Sequence, residues 1–402
     1  MAETTPLVRL AAILILGIVT GAMSSVMVPI FVVLLAVTVV AALLLWRRGL
    51  WQSVVIGAAV FLFGATLAAR QRDVLASEGL TIRQWQQQSA EPDAGTRLGR
   101  TRLFFLHQRA RLLERYREQG LEGQAYALVA AMTLGDRSAL DRGLRATYNV
   151  SGASHVLALS GLHMGIIYYA LLSLFTVGRR WRLLSQVVTV LTIWAFVFLV
   201  GMPTSAVRAA LMLTLYALLS LGYRDRLSLN ALAFTAIVVL VVSPYTLFDV
   251  GFQMSYLAVL SILIWMPVVE GWVRADVLQR HRWLRWLWGL LTVSVAAQLG
   301  VAPLIAYYFG RFSTWFLLTN LVAIPGVMLI LYLSLGTLLW APVAVVLTAV
   351  ANGLNGALEL ITRLPAASID HLHPTVLQTA MVYLLILTGY WLCAWFSPRA
   401  RR

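Results

Sequence analysis

The chain has 402 residues and not one lysine; all 31 basic residues are arginine. A Gly-x-x-x-x-Gly-Lys-[Ser/Thr] phosphate loop is therefore excluded, because that loop needs its lysine on the nucleotide phosphates. Any nucleotide-driven motor must be a separate molecule. Cysteine is reduced to Cys393, which excludes an internal disulfide and a cysteine-built metal site. Charge is scarce as well. Only 12% of the residues are charged, against about a quarter in soluble proteins, so a water-soluble globular fold is excluded. The alternating segments of about ten residues that build a transmembrane β-barrel are missing, and no internal repeat of fixed period occurs.

What remains is apolar. Hydrophobic residues make up 60% of the chain, and the mean hydropathy is +0.82. Apolar runs near 7–28, 30–46, 50–69, 156–177, 183–201, 206–222, 229–247, 250–268, 287–309, 314–340, 342–361 and 375–396 have the lengths needed for a hydrocarbon core of about 30 Å. They predict an all-α, polytopic integral membrane protein with about twelve apolar helical segments. The runs after Gly152 and around Pro303 are the ones open to a re-entrant or broken path, since glycine and proline at membrane depth need protein or water to satisfy the freed backbone. The first run is too long for a signal-peptide core and another follows at once, so it reads as a membrane helix.

Three regions follow: N-terminal membrane helices at 1–70, a polar region at 71–150, and a membrane domain at 151–402. The polar region begins with an irregular stretch, Gln84–Gln88 and Glu91–Gly95, rich in turn formers. Residues 101–119 then carry Leu103, Leu106, Ala110 and Leu113 on one helical face and five arginines around the rest, a basic amphipathic helix that suits a membrane surface or a neighbouring helix. A second basic stretch, Arg274–Arg285, is flanked by Trp272, Trp283, Trp286 and Trp288, the composition of a headgroup-level belt. Arg9 and the pair Arg47-Arg48 place the N-terminus and the second loop inside, and hence 70–150 outside.

Residues 151–167 place His155, Ser160 and His163 among glycines and serines at the head of an apolar run. The two histidines are eight positions apart, about 2.2 helical turns, and so share a face if that stretch is helical. They can line an aqueous path or serve as satisfied packing residues. Gly161-x-x-x-Gly165 suits close helix approach. Arg208 is the sharpest single residue, because a charge at membrane depth costs about 2.5–3.5 kcal/mol on insertion scales; Asp249 is its natural counter-charge. Gln253, Gln298 and Asn320 are uncharged polar groups within apolar runs, suited to helix–helix bonds or a pore lining. Asn352, Asn355 and Glu359 form one stripe by spacing. Asp370, His371 and His373 read as a loop between the last two helices, with no metal site. No catalytic residue and no cofactor is assigned.

Five ordered stretches carry a family resemblance. They are Leu134-Gly-Asp-Arg-Ser-Ala-Leu-Asp141, Ser151–Gly165 with its Leu-Ser-Gly-Leu-His core, Ser205-Ala-Val-Arg-Ala-Ala-Leu-Met212, Ser243-Pro-Tyr-Thr-Leu-Phe-Asp-Val-Gly-Phe-Gln-Met-Ser-Tyr-Leu-Ala-Val-Leu260, and Phe309-Gly-Arg-Phe-Ser313 leading to Asn320-Leu-Val-Ala-Ile-Pro325. Together they resemble the competence domain of the ComEC family. The resemblance implies a multi-pass channel of the bacterial inner membrane that passes single-stranded DNA to the cytoplasm during natural transformation. Larger members add an OB-like domain and a C-terminal metallo-β-lactamase-like domain; residues 70–150 are too short for a full OB fold, and no nuclease-like domain follows Phe396. Expected partners are single-stranded DNA, membrane lipids, a separate nuclease, a DNA receptor, a cytoplasmic motor or DNA-binding protein, and a second copy of the chain. His155, Ser160, His163, Arg208, Asp249, Gln253 and Asn320 are the expected path lining. The alternatives are a transporter or membrane scaffold for another anionic substrate and, further off, an intramembrane serine hydrolase using Ser154 or Ser160.

Overall fold

The computed structural model describes residues 5–45, 50–81, 84, 95–175, 182–221, 229–273 and 275–396. The Arg47-Arg48 pair, most of the irregular stretch 84–95, and Arg274 lie outside them. Helices α1 (Pro6–Met23), α2 (Val28–Leu44) and α3 (Leu50–Ser77) open the chain. Then come α4 (Arg97–Glu118), α5 (Gly123–Leu134) and α6 (Arg142–Val150). Beyond a 3₁₀ turn at Ser154–Val156 follow α7 (Gly161–Phe175), α8 (Arg182–Leu199), α9 (Thr204–Leu221) and α10 (Leu229–Val242). A second 3₁₀ turn, Pro244–Phe248, leads to α11 (Val250–Glu270), α12 (Ala275–Arg280) and α13 (Arg282–Phe309). The chain closes with β1 (Arg311–Ser313), α14 (Phe316–Leu339), α15 (Val343–Thr362), β2 (Ser368–Asp370) and α16 (Val376–Phe396).

Each of the twelve apolar runs contains a helix among the described residues. Among the described residues seven helices, α1, α3, α11, α13, α14, α15 and α16, are long and apolar enough to cross a membrane. The protein is an all-α polytopic membrane protein. Helix α13 runs unbroken through Pro303, so of the two runs open to a break this one is continuous. Helix α7 has 15 residues, about 22 Å at 1.5 Å per residue, less than a hydrocarbon core.

Contacts divide the chain into two units, Met1–Pro92 with Leu218–Tyr256, and Asp93–Ala217 with Leu257–Arg402. These boundaries differ from the divisions at 70 and 150 that composition marks.

In the first unit, α1 and α3 cross almost backbone to backbone. A Cβ on Gly17 would lie 2.1 Å from the Phe61 carbonyl oxygen, one on Gly21 2.2 Å from that of Ala65, and one on Gly64 2.6 Å from that of Leu14. Gly17-x-x-x-Gly21 is thus a small-residue seam, the device that lets membrane helices approach closely where lipid offers no hydrophobic drive. Ala65 and Ala69 continue the small face toward Phe31 of α2. Asn230, at the start of α10, accepts the Leu7 amide at 3.2 Å and satisfies one open donor of the first turn of α1.

In the second unit the core is built on α5. Every residue from Ala125 to Leu134 is buried, packed with Tyr116, Leu144 and Tyr148 and with Val327, Ile330, Leu347 and Leu354 of α14 and α15. A helix apolar on all sides is a buried helix. A second cluster joins α7, α8 and α9 through Met164, Tyr168, Ile193, Val197, Ala206 and Ala210. On α13, a Cβ at Gly300 would lie 2.6 Å from the Leu257 carbonyl oxygen. The Ser261 hydroxyl donates to the Ala296 carbonyl at 2.6 Å, and the Tyr383 hydroxyl of α16 to that of Gly300 at 2.8 Å. The strands pair antiparallel, Phe312 opposite Ile369. Asp370 therefore belongs to a strand, ion-paired with Arg311 at 3.4 Å, instead of a loop. A cavity of about 410 Å³ lies among α13, α14, α16 and the strand pair, apolar except for Gln298 and Thr379.

The basic helix α4 is capped by the Thr96 hydroxyl, which accepts the Gly99 amide at 2.9 Å. It packs on a neighbour: Phe105 stacks on Phe198 of α8, ring centroids 5.7 Å apart. Ala110, expected on the apolar face, is exposed. Trp272, Trp283 and Trp286 and the arginines 280, 282 and 285 are exposed, as an interfacial belt requires.

Gly21→Val would place side-chain atoms where the Ala65 carbonyl now lies, and is expected to cost about 1–3 kcal/mol or more. Gly57→Ala is expected to be silent, because its Cβ meets only the Ile13 Cδ1 at an ordinary 3.5 Å. Thermal unfolding of the two full-length variants in detergent checks the contrast.

Candidate functional site

The candidate site grows from the turn that follows α6. Ser151 is fully buried, and its carbonyl accepts two hydroxyls from far along the chain: Ser313 Oγ at 2.9 Å and Thr319 Oγ1 at 2.8 Å. Gly152 has φ +83°, and a Cβ there would sit 2.8 Å from the Ser313 Cβ. Glycine is thus required twice, for its backbone conformation and for the close approach. Asn320, the residue after Thr319, is half-buried at the start of α14.

Beyond this turn His155 is exposed, its Nδ1 3.1 Å from the Gly152 carbonyl oxygen. Ser160 precedes the first residue of α7 and His163 is its third. Ser160 Oγ lies 2.9 Å from His163 Nδ1, and the Ser160 amide donates to the same nitrogen at 3.4 Å. Two donors at Nδ1 make it the acceptor and put the ring proton on Nε2. The arrangement is half of a capping box, with imidazole in the place of the usual Glu or Gln. His163 is fully buried, and its Nε2 has no hydrogen-bond partner among the described residues. A buried, directed donor is thereby held at the head of α7.

The Ser205–Met212 stretch brings α9 to the same place. The Ser205 hydroxyl donates to the Leu159 carbonyl at 2.7 Å, and Ala206, Ala209 and Ala210 pack into the α7–α9 cluster. Arg208, on the turn between those alanines, is 4% exposed. Its guanidinium is buried, not snorkelling to an interface.

The Leu134–Asp141 stretch frames this cluster. Gly135 ends α5 in the left-handed region at φ +70°. Asp136 pairs with Arg109 of α4 at 3.6 Å. Arg137 Nε donates to the Leu157 carbonyl at 3.1 Å, and Arg102 of α4 donates to the Gly201 carbonyl at 2.7 Å. Asp141 caps α6 by accepting the Leu144 amide at 2.6 Å. The motif therefore holds the loop that carries His155 and Ser160.

These geometries coincide with a similarity found across the chain. The profile of the Competence family, described as "Competence protein", matches residues 132–396. The chain belongs to the ComEC family of competence proteins. This competence-family chain is 31% identical over 198 residues to ComE operon protein 3 of Bacillus subtilis (strain 168), covering 49% of the chain and 24% of that protein. It is 29% identical over 199 residues to an uncharacterized protein of Aquifex aeolicus (strain VF5), covering 49% of the chain and 44% of that protein. It thus spans less than half the length of these curated relatives. No solved structure matches it.

In the second unit, His155, Ser160 and His163 lie on one loop and the head of α7, Arg208 is buried on α9 in the same helix cluster, and Asn320 lies beside the Ser151 turn. Asp249 and Gln253 belong to the first unit and act at the start of α11. Asp249 Oδ1 accepts the Gly251 amide at 2.8 Å, and Gln253 Nε2 donates to the Leu247 carbonyl at 3.0 Å. The Asn352/Asn355/Glu359 stripe does not share one environment: Asn352 is exposed, Asn355 is buried and accepts from Tyr148 at 2.9 Å, and Glu359 pairs with Arg363 at 2.7 Å. Ser313, Thr319 and Arg137 escaped the choice of site residues although all three lie in or beside the five stretches. Hydroxyls that bond a distant carbonyl carry no local pattern. Among the described residues no three His, Cys, Asp or Glu side chains gather as metal ligands.

Thr319→Val removes one of the two hydroxyls on a fully buried carbonyl, an expected loss of about 1–3 kcal/mol. Gly152→Ala adds backbone strain to overlap and is expected to cost more. Melting temperatures of the two variants give the order.

Proposed function

We propose that this chain forms the membrane conduit that carries single-stranded DNA into the cytoplasm, across the inner membrane, during natural transformation. The observation that carries the reading is the burial of two costly polar side chains, His163 at the head of α7 and Arg208 on α9. His163 Nε2 and the Arg208 guanidinium are held on neighbouring helices of one packed cluster, among apolar segments where such groups are costly. A strand moving through a bilayer needs fixed positive groups that bind phosphates and release them. A few intramembrane Arg and His groups serve that better than a dense basic wall. The family membership and the likeness to ComE operon protein 3 support DNA uptake as the process. The 410 Å³ cavity is not the path, since its lining offers a charged backbone almost no polar partner. With no phosphate loop in these residues, a nucleotide-driven motor is a separate protein in this reading, and a nuclease and a DNA receptor are its further expected partners.

One geometry favours a second reading. The Ser160–His163 distance is that of a nucleophile and its base. The pair is better explained as the cap of α7, because Nε2, where an orienting group would bind, has none among the described residues.

Transformation frequency in a strain carrying His163→Ala or Arg208→Ala is expected to fall about tenfold or more, the effect of about 1.4 kcal/mol, with the protein still in the membrane fraction. Unchanged uptake in the deletion strain overturns the conduit. A fluorophosphonate probe is expected to leave Ser160 unlabelled, whereas labelling lost on Ser160→Ala returns the hydrolase.

A further inference from the structure

In the second unit the Arg145 side chain reaches the main chain of Arg137, and among the described residues neither guanidinium is paired with a carboxylate. Arg145 Nη2 donates to the Arg137 carbonyl at 2.9 Å, while Arg137 Nε is fixed on the Leu157 carbonyl at 3.1 Å. Both residues are exposed. The acids nearby in sequence are engaged elsewhere: Asp136 on Arg109, and Asp141 on the Leu144 amide and Gln124. Burial of its stem, and then the charge of Arg145, hold the Arg137 guanidinium below the ordinary arginine value. Two cations brought together repel unless something negative joins them. Here each side chain is held by one backbone carbonyl, and both residues remain open to solvent.

An arginine fork matches the oxygens of a phosphate bidentately, and two neighbouring exposed arginines without an acid partner offer two such forks. The pair is tied to Leu157, two residues after His155 and three before Ser160, so it sits on the loop that leads to His163. Arg137 has the additional task of holding that loop, so an anion bound there also bears on the position of α7.

We propose that Arg137 and Arg145 form a phosphodiester-binding subsite, which takes the backbone of the incoming strand before it reaches His163 and Arg208. This rests on the reading of the chain as a DNA conduit. The subsite needs no base contact and takes any sequence, as backbone binding does.

The experiment uses the full-length protein in uncharged detergent, a fluorescent oligothymidylate and anisotropy titrations over a range of salt. Arg145→Gln leaves the Arg137–Leu157 bond intact, so it tests the subsite without loosening the loop; Arg137→Gln is the companion, and Arg145→Lys keeps the charge without the fork. The expected result is several-fold weaker binding by both glutamine variants, partial recovery with lysine, and a salt dependence shallower by about 0.7 per lost phosphate contact. Binding by the parent protein with unchanged affinity and slope in Arg145→Gln overturns the subsite and leaves the conduit standing. No binding of the oligonucleotide by the parent, with Arg145-dependent binding of inorganic phosphate or of vesicles containing phosphatidylglycerol instead, overturns the conduit and the DNA subsite together.

Discussion

The carbonyl of Ser151 is the point on which the second unit depends. It lies in a dry interior where water cannot serve it, and two hydroxyls more than 150 residues away close on it. That one acceptor gathers the end of α6, the strand pair and the head of α14. Because Gly152 leaves no room beside Ser313, the joint has little freedom to slide. The loop carrying His155 and Ser160 starts from this joint, so the costly groups at the head of α7 are placed by a fixed support and not by a flexible connection.

The same economy of small residues governs helix contacts in both units. Lipid is as apolar as leucine, so helices gain little by hiding leucine from it. They gain by approaching until backbones touch, as α1 and α3 do through Gly17, Gly21 and Gly64, and as α11 and α13 do through Ser261 and Gly300. Many bulky apolar side chains, such as Leu339, Val345 and Trp391, stay exposed. Arginine follows a parallel logic: Arg102 and Arg137 spend donors on main-chain carbonyls, so a basic helix that looks like a surface feature is a brace for the loops around α7.

Much of the helical order was legible in the sequence, since runs of twenty apolar residues leave the backbone few choices. Helix α5 was not. Its apolar stretch is only ten residues long and sits inside a region dominated by arginine, yet it is the most deeply enclosed helix of its unit. The position of His163 was legible from the cost of its setting, and so was that of Arg208. Their support was not, because Ser313, Thr319 and Arg137 act through contacts that no local spacing announces. Asp249 carries a role that spacing alone does not announce, the capping of the first turn of α11 through the Gly251 amide.

Helix α16 differs from every other span. Only 6% of its apolar window is enclosed by protein, and its tether to α13 includes the Tyr383 hydroxyl on the Gly300 carbonyl. In a helix that spans a membrane, surface not covered by protein is left to lipid, where an apolar side chain is at no disadvantage. The hollow lined by Val382 and Ile386 of this helix is therefore walled on one side by an element whose outer face belongs to the bilayer, so acyl chains complete what the polypeptide leaves unfilled there.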